Sequence, residues 1–190
     1  MYITLMPAIF AGIFNMVWCK APILKSISIP MDGNRNLRDG KRILGDNKTW
    51  KGFLGMILFG TLCTVAWGLI NRGNLFLSQH NYLYANYENT IVYNLIMGAI
   101  IGFAYALFEL PNSFIKRRLD ITPGKTMSGI YKVLFIFLDQ ADSIFGCVLV
   151  ICIVYKMPVW FYFAYVLLGA GTHIIINMLL YACKLRQNMF

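Results

Sequence analysis

Residues 45–70 read GDNKTWKGFLGMILFGTLCTVAWGLI. The first eight positions hold an Asp, an Asn, a Thr and two Lys, whereas residues 53–70 carry no charge at all. A hydrocarbon core about 30 Å thick needs roughly 20 apolar residues of helix to cross it, so 53–70 reads as a membrane span. The polar octet then stands at the mouth of that span. One lysine there would merely anchor a helix end. Gly45, Asp46, Asn47, Lys48, Thr49 and Lys51 together look like a site for a charged ligand.

The same patterning recurs along the chain. Of 190 residues, 58% are hydrophobic and only 13% are charged, about half the usual charged fraction. Mean hydropathy is +0.61, which excludes an ordinary soluble domain. Apolar runs fall at about 2–24, 53–70, 91–110, 130–155 and 158–183. The first lacks the basic n-region of a signal peptide and is expected to be a retained helix. The fold class that follows is all-α: a polytopic integral membrane protein with about five transmembrane helices, forming one domain over 1–190.

Basic residues set the expected orientation. Residues 20–51 hold eight Lys or Arg, residues 111–132 hold five, and the tail adds Lys184 and Arg186. The other two connections hold only Arg72 and Lys156. The positive-inside rule puts the basic segments and the C-terminus in the cytoplasm and the N-terminus outside. Five cysteines without a CxxC pair imply neither a metal site nor a disulfide framework. Gly98, Gly102 and Ala106 form a small-xxx-small face, read as intramolecular helix packing.

Three polar clusters lie on the basic side. Glycines 33, 40 and 45 let backbone amides of the first loop approach an anion. Ser113, Lys116, Arg117, Arg118 and Lys125 form a second cluster able to bind phosphates, Arg by its planar fork and Lys as a compact charge. The third, LFIFLDQADSIFG at 134–146, holds Asp139 and Asp142 three apart and so on one helix face. Asp139 lies seven residues from Lys132, about 10 Å along a helix. Carboxylates at that depth are costly unless paired, protonated or facing water. A divalent cation removes the penalty, and oxygen ligands suit Mg²⁺. Two alternatives stand beside it: an ion-coupled transporter using the pair as its relay, or a structural ion pair with Lys132 or Arg117.

These residues also carry a resemblance. NKTWKGF at 47–53 is similar to the SP-x-KTWEG motif of the CDP-diacylglycerol synthase superfamily, and Ser113-x-x-Lys116-Arg117 followed by Asp139-x-x-Asp142 is similar to its C-terminal signature. The GDxKTWKG loop, the Lys-Arg-Arg-x-x-Ile-x-Pro-Gly stretch at 116–124 and Leu-Asp-Gln-x-Asp at 138–142 resemble the archaeal-type branch, the CDP-archaeol synthases. Residues 126–132, TMSGIYK, lack the His of the bacterial and eukaryotic motif, and Gln140 replaces its Arg. The resemblance implies a cytidylyltransferase that joins CTP to a lipid phosphate, giving a CDP-lipid and pyrophosphate. It implies Mg²⁺ on Asp139 and Asp142, with Asp46 as a further ligand. Lys48, Lys51, Lys116 and Arg117 would hold phosphates, and Asn47, Thr49 and Ser113 would orient them. Partners are then CTP, a lipid phosphate and membrane lipids, with no nucleic acid. His173 is expected to be a hydrogen-bonded packing residue, and His80 to lie on the far side.

Overall fold

Thr49 starts the helix that follows the polar octet. Its backbone is extended and its Oγ1 accepts from Gly52 N at 3.1 Å, satisfying one of the amides that a helix start leaves open. Thr90 caps the next long helix in the same way, through Tyr93 N at 3.1 Å. A computed structural model describes residues 2–123, 125 and 129–184. Among them the chain forms α1 (Tyr2–Lys20), α2 (Trp50–Arg72), a short α3 (Leu75–Gln79), α4 (Ile91–Arg118), α5 (Lys132–Tyr155) and α6 (Val159–Ala182). Five of these, all but α3, are long and apolar enough to cross a membrane. No strand occurs among the described residues, only two isolated bridges.

Two boundaries differ from the hydropathy reading by more than three residues. The first helix stops at Lys20 rather than 24, because Pro22 disfavours helical geometry at Ala21. More consequentially, α4 continues through Pro111 to Arg118. A proline costs a spanning helix one backbone bond, a loss that membrane helices tolerate. The added two turns place Asn112, Ser113, Lys116 and Arg117 on a helix instead of a loop.

Small residues bring α2 and α4 together. A Cβ built on Gly60 would lie 2.7 Å from Gly98 O, and one on Gly98 would lie 2.6 Å from Gly60 O. The small-xxx-small face of α4 is thus used within the chain. Gly146 of α5 packs on Ala104 of α4 in the same manner. The chain therefore runs α1–α2–α4–α5–α6 across the bundle, with α1 also touching α4. Large apolar side chains such as Leu58, Leu62, Val92, Ile96, Ile153 and Leu167 remain on the outside. A soluble fold would not leave so much apolar surface uncovered. A lipid-facing surface requires it, and the protein is a multi-pass membrane protein.

The basic connections share one end of the bundle. Lys41 Nζ binds Asp120 Oδ2 at 2.6 Å and the Arg118 carbonyl at 2.9 Å, while Ser113 Oγ donates to Leu44 O at 2.9 Å. At the opposite end, Trp67 Nε1 donates to Ile3 O at 2.7 Å and Asn86 Nδ2 to Val154 O at 3.3 Å. His80 lies on that end, bonded to Phe76 O. Lys184 follows the end of α6, and Arg186 lies outside the described residues.

Candidate active site

Asp32 organises the first loop. Its buried carboxylate accepts from Arg42 Nη2 at 2.7 Å and Nε at 3.1 Å, and from the amides of Asn34, Leu44 and Gly45 at 3.1–3.2 Å. Burial works against the charge, but Arg42 and the three amides outweigh it and hold the group well below the usual carboxylate range. The chain can then turn sharply at Gly45, where φ is +113°. A Cβ at that position would also meet Pro123 Cγ at 3.2 Å. The turn delivers Asn47 and Lys48 to the end of α4.

There a cavity of about 180 Å³ opens. It is lined by Asn47 and Lys48 from the first loop, by Glu109, Asn112, Ser113, Lys116 and Arg117 from α4, by Lys125, and by Asp139 and Asp142 from α5. Lys116 Nζ donates to Asp139 Oδ2 at 2.6 Å. Asn112 Nδ2 donates to Asp139 Oδ1 at 2.8 Å and to Asp142 Oδ2 at 2.9 Å. Lys48 is ion-paired with Glu109. Burial opposes the Lys48 charge, yet the Glu109 and Asp142 carboxylates more than offset this, and its pKa is raised. Arg117 differs from its neighbours. It is 8% exposed, its Nε has no hydrogen-bond partner, and it forms no ion pair among the described residues.

Eight of the residues singled out from the sequence thus meet in one place: Asn47, Lys48, Ser113, Lys116, Arg117, Lys125, Asp139 and Asp142. Four do not. Lys51 was expected to hold phosphate together with Lys48. Because Thr49 caps α2, Lys48 lies outside the helix and Lys51 inside it. Lys51 Nζ turns back to donate to Ala21 O at 2.7 Å, over the Trp18 ring. Asp46 points to solvent and pairs with Arg42 at 2.8 Å, away from the acidic pair. Arg118 pairs with Asp39 and donates to the Arg42 carbonyl, tying the two basic loops together. Thr49 is occupied as the helix cap. Gly124 and Thr126–Ser128 of the recognised stretches lie outside the described residues.

Glu109 and Asn112 were not anticipated. A signal existed: Glu109, Asn112 and Lys116 fall at i, i+3 and i+7, one face of a helix. It was hidden by ending the span at Pro111. Glu109 stands at a junction, since it also borders two neighbouring cavities. The larger, about 260 Å³, lies between α1 and α6. It is mostly apolar, with Leu5, Ala8, Ile9, Ile144, Ile176 and Leu180, and ends at Glu109 and Asp139. His173 borders it as a bonded side chain, with Nδ1 3.1 Å from Gln140 O and Nε2 3.4 Å from the Tyr105 hydroxyl. Among the described residues no group of three or more His, Cys, Asp or Glu converges as a metal cage. Two carboxylates with a shared neighbour do suit a hard divalent cation, whose shell water and substrate phosphates can complete.

A family model described as CarS-like, CDP-archaeol synthase, matches residues 2–190. The chain belongs to the CDP-archaeol synthase family. It is 33% identical over 132 residues to the CDP-archaeol synthase of Thermococcus gammatolerans, a match covering 70% of this chain and 66% of that one. With the CDP-archaeol synthase of Methanocaldococcus jannaschii it shares 31% identity over 158 residues, covering 83% and 81% of the two chains. The matched segment therefore spans just under two thirds of the Thermococcus relative and most of the Methanocaldococcus one. A solved structure of an intramembrane enzyme for archaeal membrane lipids biosynthesis superposes with a TM-score of 0.62, covering 97% of this chain and 92% of that chain at 22% identity. The five-span architecture is thus that of a known membrane-protein fold.

Proposed function

We propose that this CDP-archaeol synthase family member transfers CMP from CTP to a membrane lipid phosphate and releases pyrophosphate. The observation that carries the proposal is Arg117. A buried guanidinium that no carboxylate pairs with directly among the described residues is costly, Asp46 acting on it only from a distance, and here it lines a cavity shared with Lys48, Lys116 and Lys125. Such a site suits a polyphosphate. The acidic pair beside it suits the divalent cation that accompanies one, Mg²⁺ by its oxygen donors.

In the reaction, an oxygen of the lipid phosphate attacks the α-phosphorus of CTP. A new P–O bond forms and the α–β bridging P–O bond breaks, its electrons leaving with pyrophosphate. No protein nucleophile is required. Arg117, Lys116 and Lys125 hold the triphosphate and its developing charge, and Lys48 is freed from Glu109 to meet a phosphate oxygen. Asn47 and Ser113 orient the phosphates. Asp139 and Asp142 would hold Mg²⁺, which would supply positive charge to neutralise the phosphates. The apolar cavity between α1 and α6 takes the lipid chain and ends where Lys48 stands beside Glu109 and Lys116 beside Asp139, so that these two lysines meet the lipid phosphate. Water-soluble CTP arrives from the basic end, which the positive-inside rule places in the cytoplasm. Residues 1–190 act as one catalytic unit.

The test is turnover of CTP with lipid phosphate by Asp139→Asn, Asp142→Asn and Arg117→Ala. Each carboxylate variant is expected to lose turnover while remaining folded in detergent. Arg117→Ala should lose about 100- to 1,000-fold in kcat, the scale for removing one stabilising donor. Wild-type activity in either Asp variant would reject the assigned roles.

A further inference from the structure

Asn112 bridges the acidic pair. Its Nδ2 lies between the two carboxylates, 2.8 Å from Asp139 Oδ1 and 2.9 Å from Asp142 Oδ2. Like charges on one face of a buried helix repel and drift apart or take up a proton. A neutral amide that donates to one oxygen of each draws them together without adding charge. The two remaining oxygens are also held: Asp139 Oδ2 by Lys116 at 2.6 Å and Asp142 Oδ1 by the Ser143 amide at 2.6 Å. Each oxygen then has one donor and retains a lone pair, because an ionised carboxylate offers about four acceptor sites. The bridge runs between helices, from α4 to α5, so it fixes both carboxylates against the helix that also carries Lys116 and Arg117.

We propose that Asn112 is a positioning residue that presets the separation of Asp139 and Asp142 for a divalent cation, acting through its amide N–H groups rather than as a ligand. This rests on the metal-holding role given to the pair above. A ligand role would use the amide oxygen instead. Asn112→Asp separates the two, because it supplies a stronger oxygen ligand while deleting the donor.

The probe is Mn²⁺ alone, titrated by electron paramagnetic resonance into the purified full chain in detergent without nucleotide. Asn112→Ala is expected to bind 10- to 100-fold more weakly than wild type, the usual effect of removing a group that orients a metal ligand. Asn112→Asp should not recover affinity, whereas Asn112→Gln, which keeps an amide on a longer arm, should recover part of it. In turnover, Asn112→Ala should need more Mg²⁺ for half-maximal rate and regain kcat as Mg²⁺ is raised. A merely structural role would lower the melting temperature and kcat without moving the metal dependence, and would overturn the proposal. So would Mn²⁺ affinity within threefold of wild type in Asn112→Ala, or affinity at or above wild type in Asn112→Asp. Failure of the underlying metal assignment is visible separately. Wild-type Mn²⁺ affinity in Asp139→Asn and Asp142→Asn, or none in wild type, removes the site whatever Asn112 does.

Discussion

Replacing Asp32 by Asn tests how the first basic loop is held over the site. Oδ1 of Asp32 receives Asn34 N and Arg42 Nη2, and Oδ2 receives Arg42 Nε and the amides of Leu44 and Gly45. An asparagine has the same shape but can accept at only one of the two ends. Its better placement keeps the three donors at the Oδ2 position and turns an NH₂ against the other two. Hydrogen bonds to charged groups contribute about 1.5–3 kcal/mol each. Two lost bonds and a lost charge therefore amount to about 3–5 kcal/mol, the scale for breaking a buried ion pair. Most of this should appear as opening of residues 30–49, since the spans keep their own packing. The assay is limited proteolysis of the reconstituted protein, read against kcat/KM for CTP. Cleavage in the loop should accelerate at least 100-fold, and kcat/KM should fall as Asn47 and Lys48 lose their placement. The pH dependence has a definite sign. A folded pKa below the unfolded value of about 3.9 gives a contribution fully present above that value and lost as pH falls through the folded one. The gap between wild type and variant should stay constant from about pH 5 to 8 and close in stronger acid. Equal proteolysis rates at pH 7, or a gap that widens in acid, would refute this account of the loop.

Lys51→Ala should lower the melting temperature by removing the bond to Ala21 O and the contact with Trp18, a loss of about 1.5–3 kcal/mol. It should leave KM for CTP within a few-fold of wild type, whereas a large rise in KM with unchanged stability would return Lys51 to the site. In a cysteine-free background, a cysteine placed in 73–90 should be labelled from outside the cell and one at Asp120 should not. Reversed labelling would remove the cytoplasmic approach for CTP.

The spans were legible because a bilayer demands a long uncharged run, and 53–70 meets that demand by itself. Asp139 and Asp142 were legible because charge is rare inside such runs. What escaped depended on where helices begin and end, or on contacts distant in sequence. Ending α4 at Pro111 concealed the helical face formed by Glu109, Asn112 and Lys116. Lys51 stands apart from Lys48 because one capping residue, Thr49, leaves Lys48 outside α2 and Lys51 inside it. Asp32 looked like any loop carboxylate, since four of its five donors come from residues 10–13 positions later. Asp46 and Arg118 carried the right charge in the right motif, yet both find partners within the loops.

The most direct measurement is mass spectrometry of the lipid products formed by purified, reconstituted protein given CTP, Mg²⁺ and a mixture of ether- and ester-linked lipid phosphates. The expected result is a CDP-lipid formed one-for-one with pyrophosphate, and absent with Asp139→Asn. Folded protein that yields no CDP-lipid from any lipid phosphate, or that turns CTP into CMP without lipid, would contradict the transfer reaction assigned to this site.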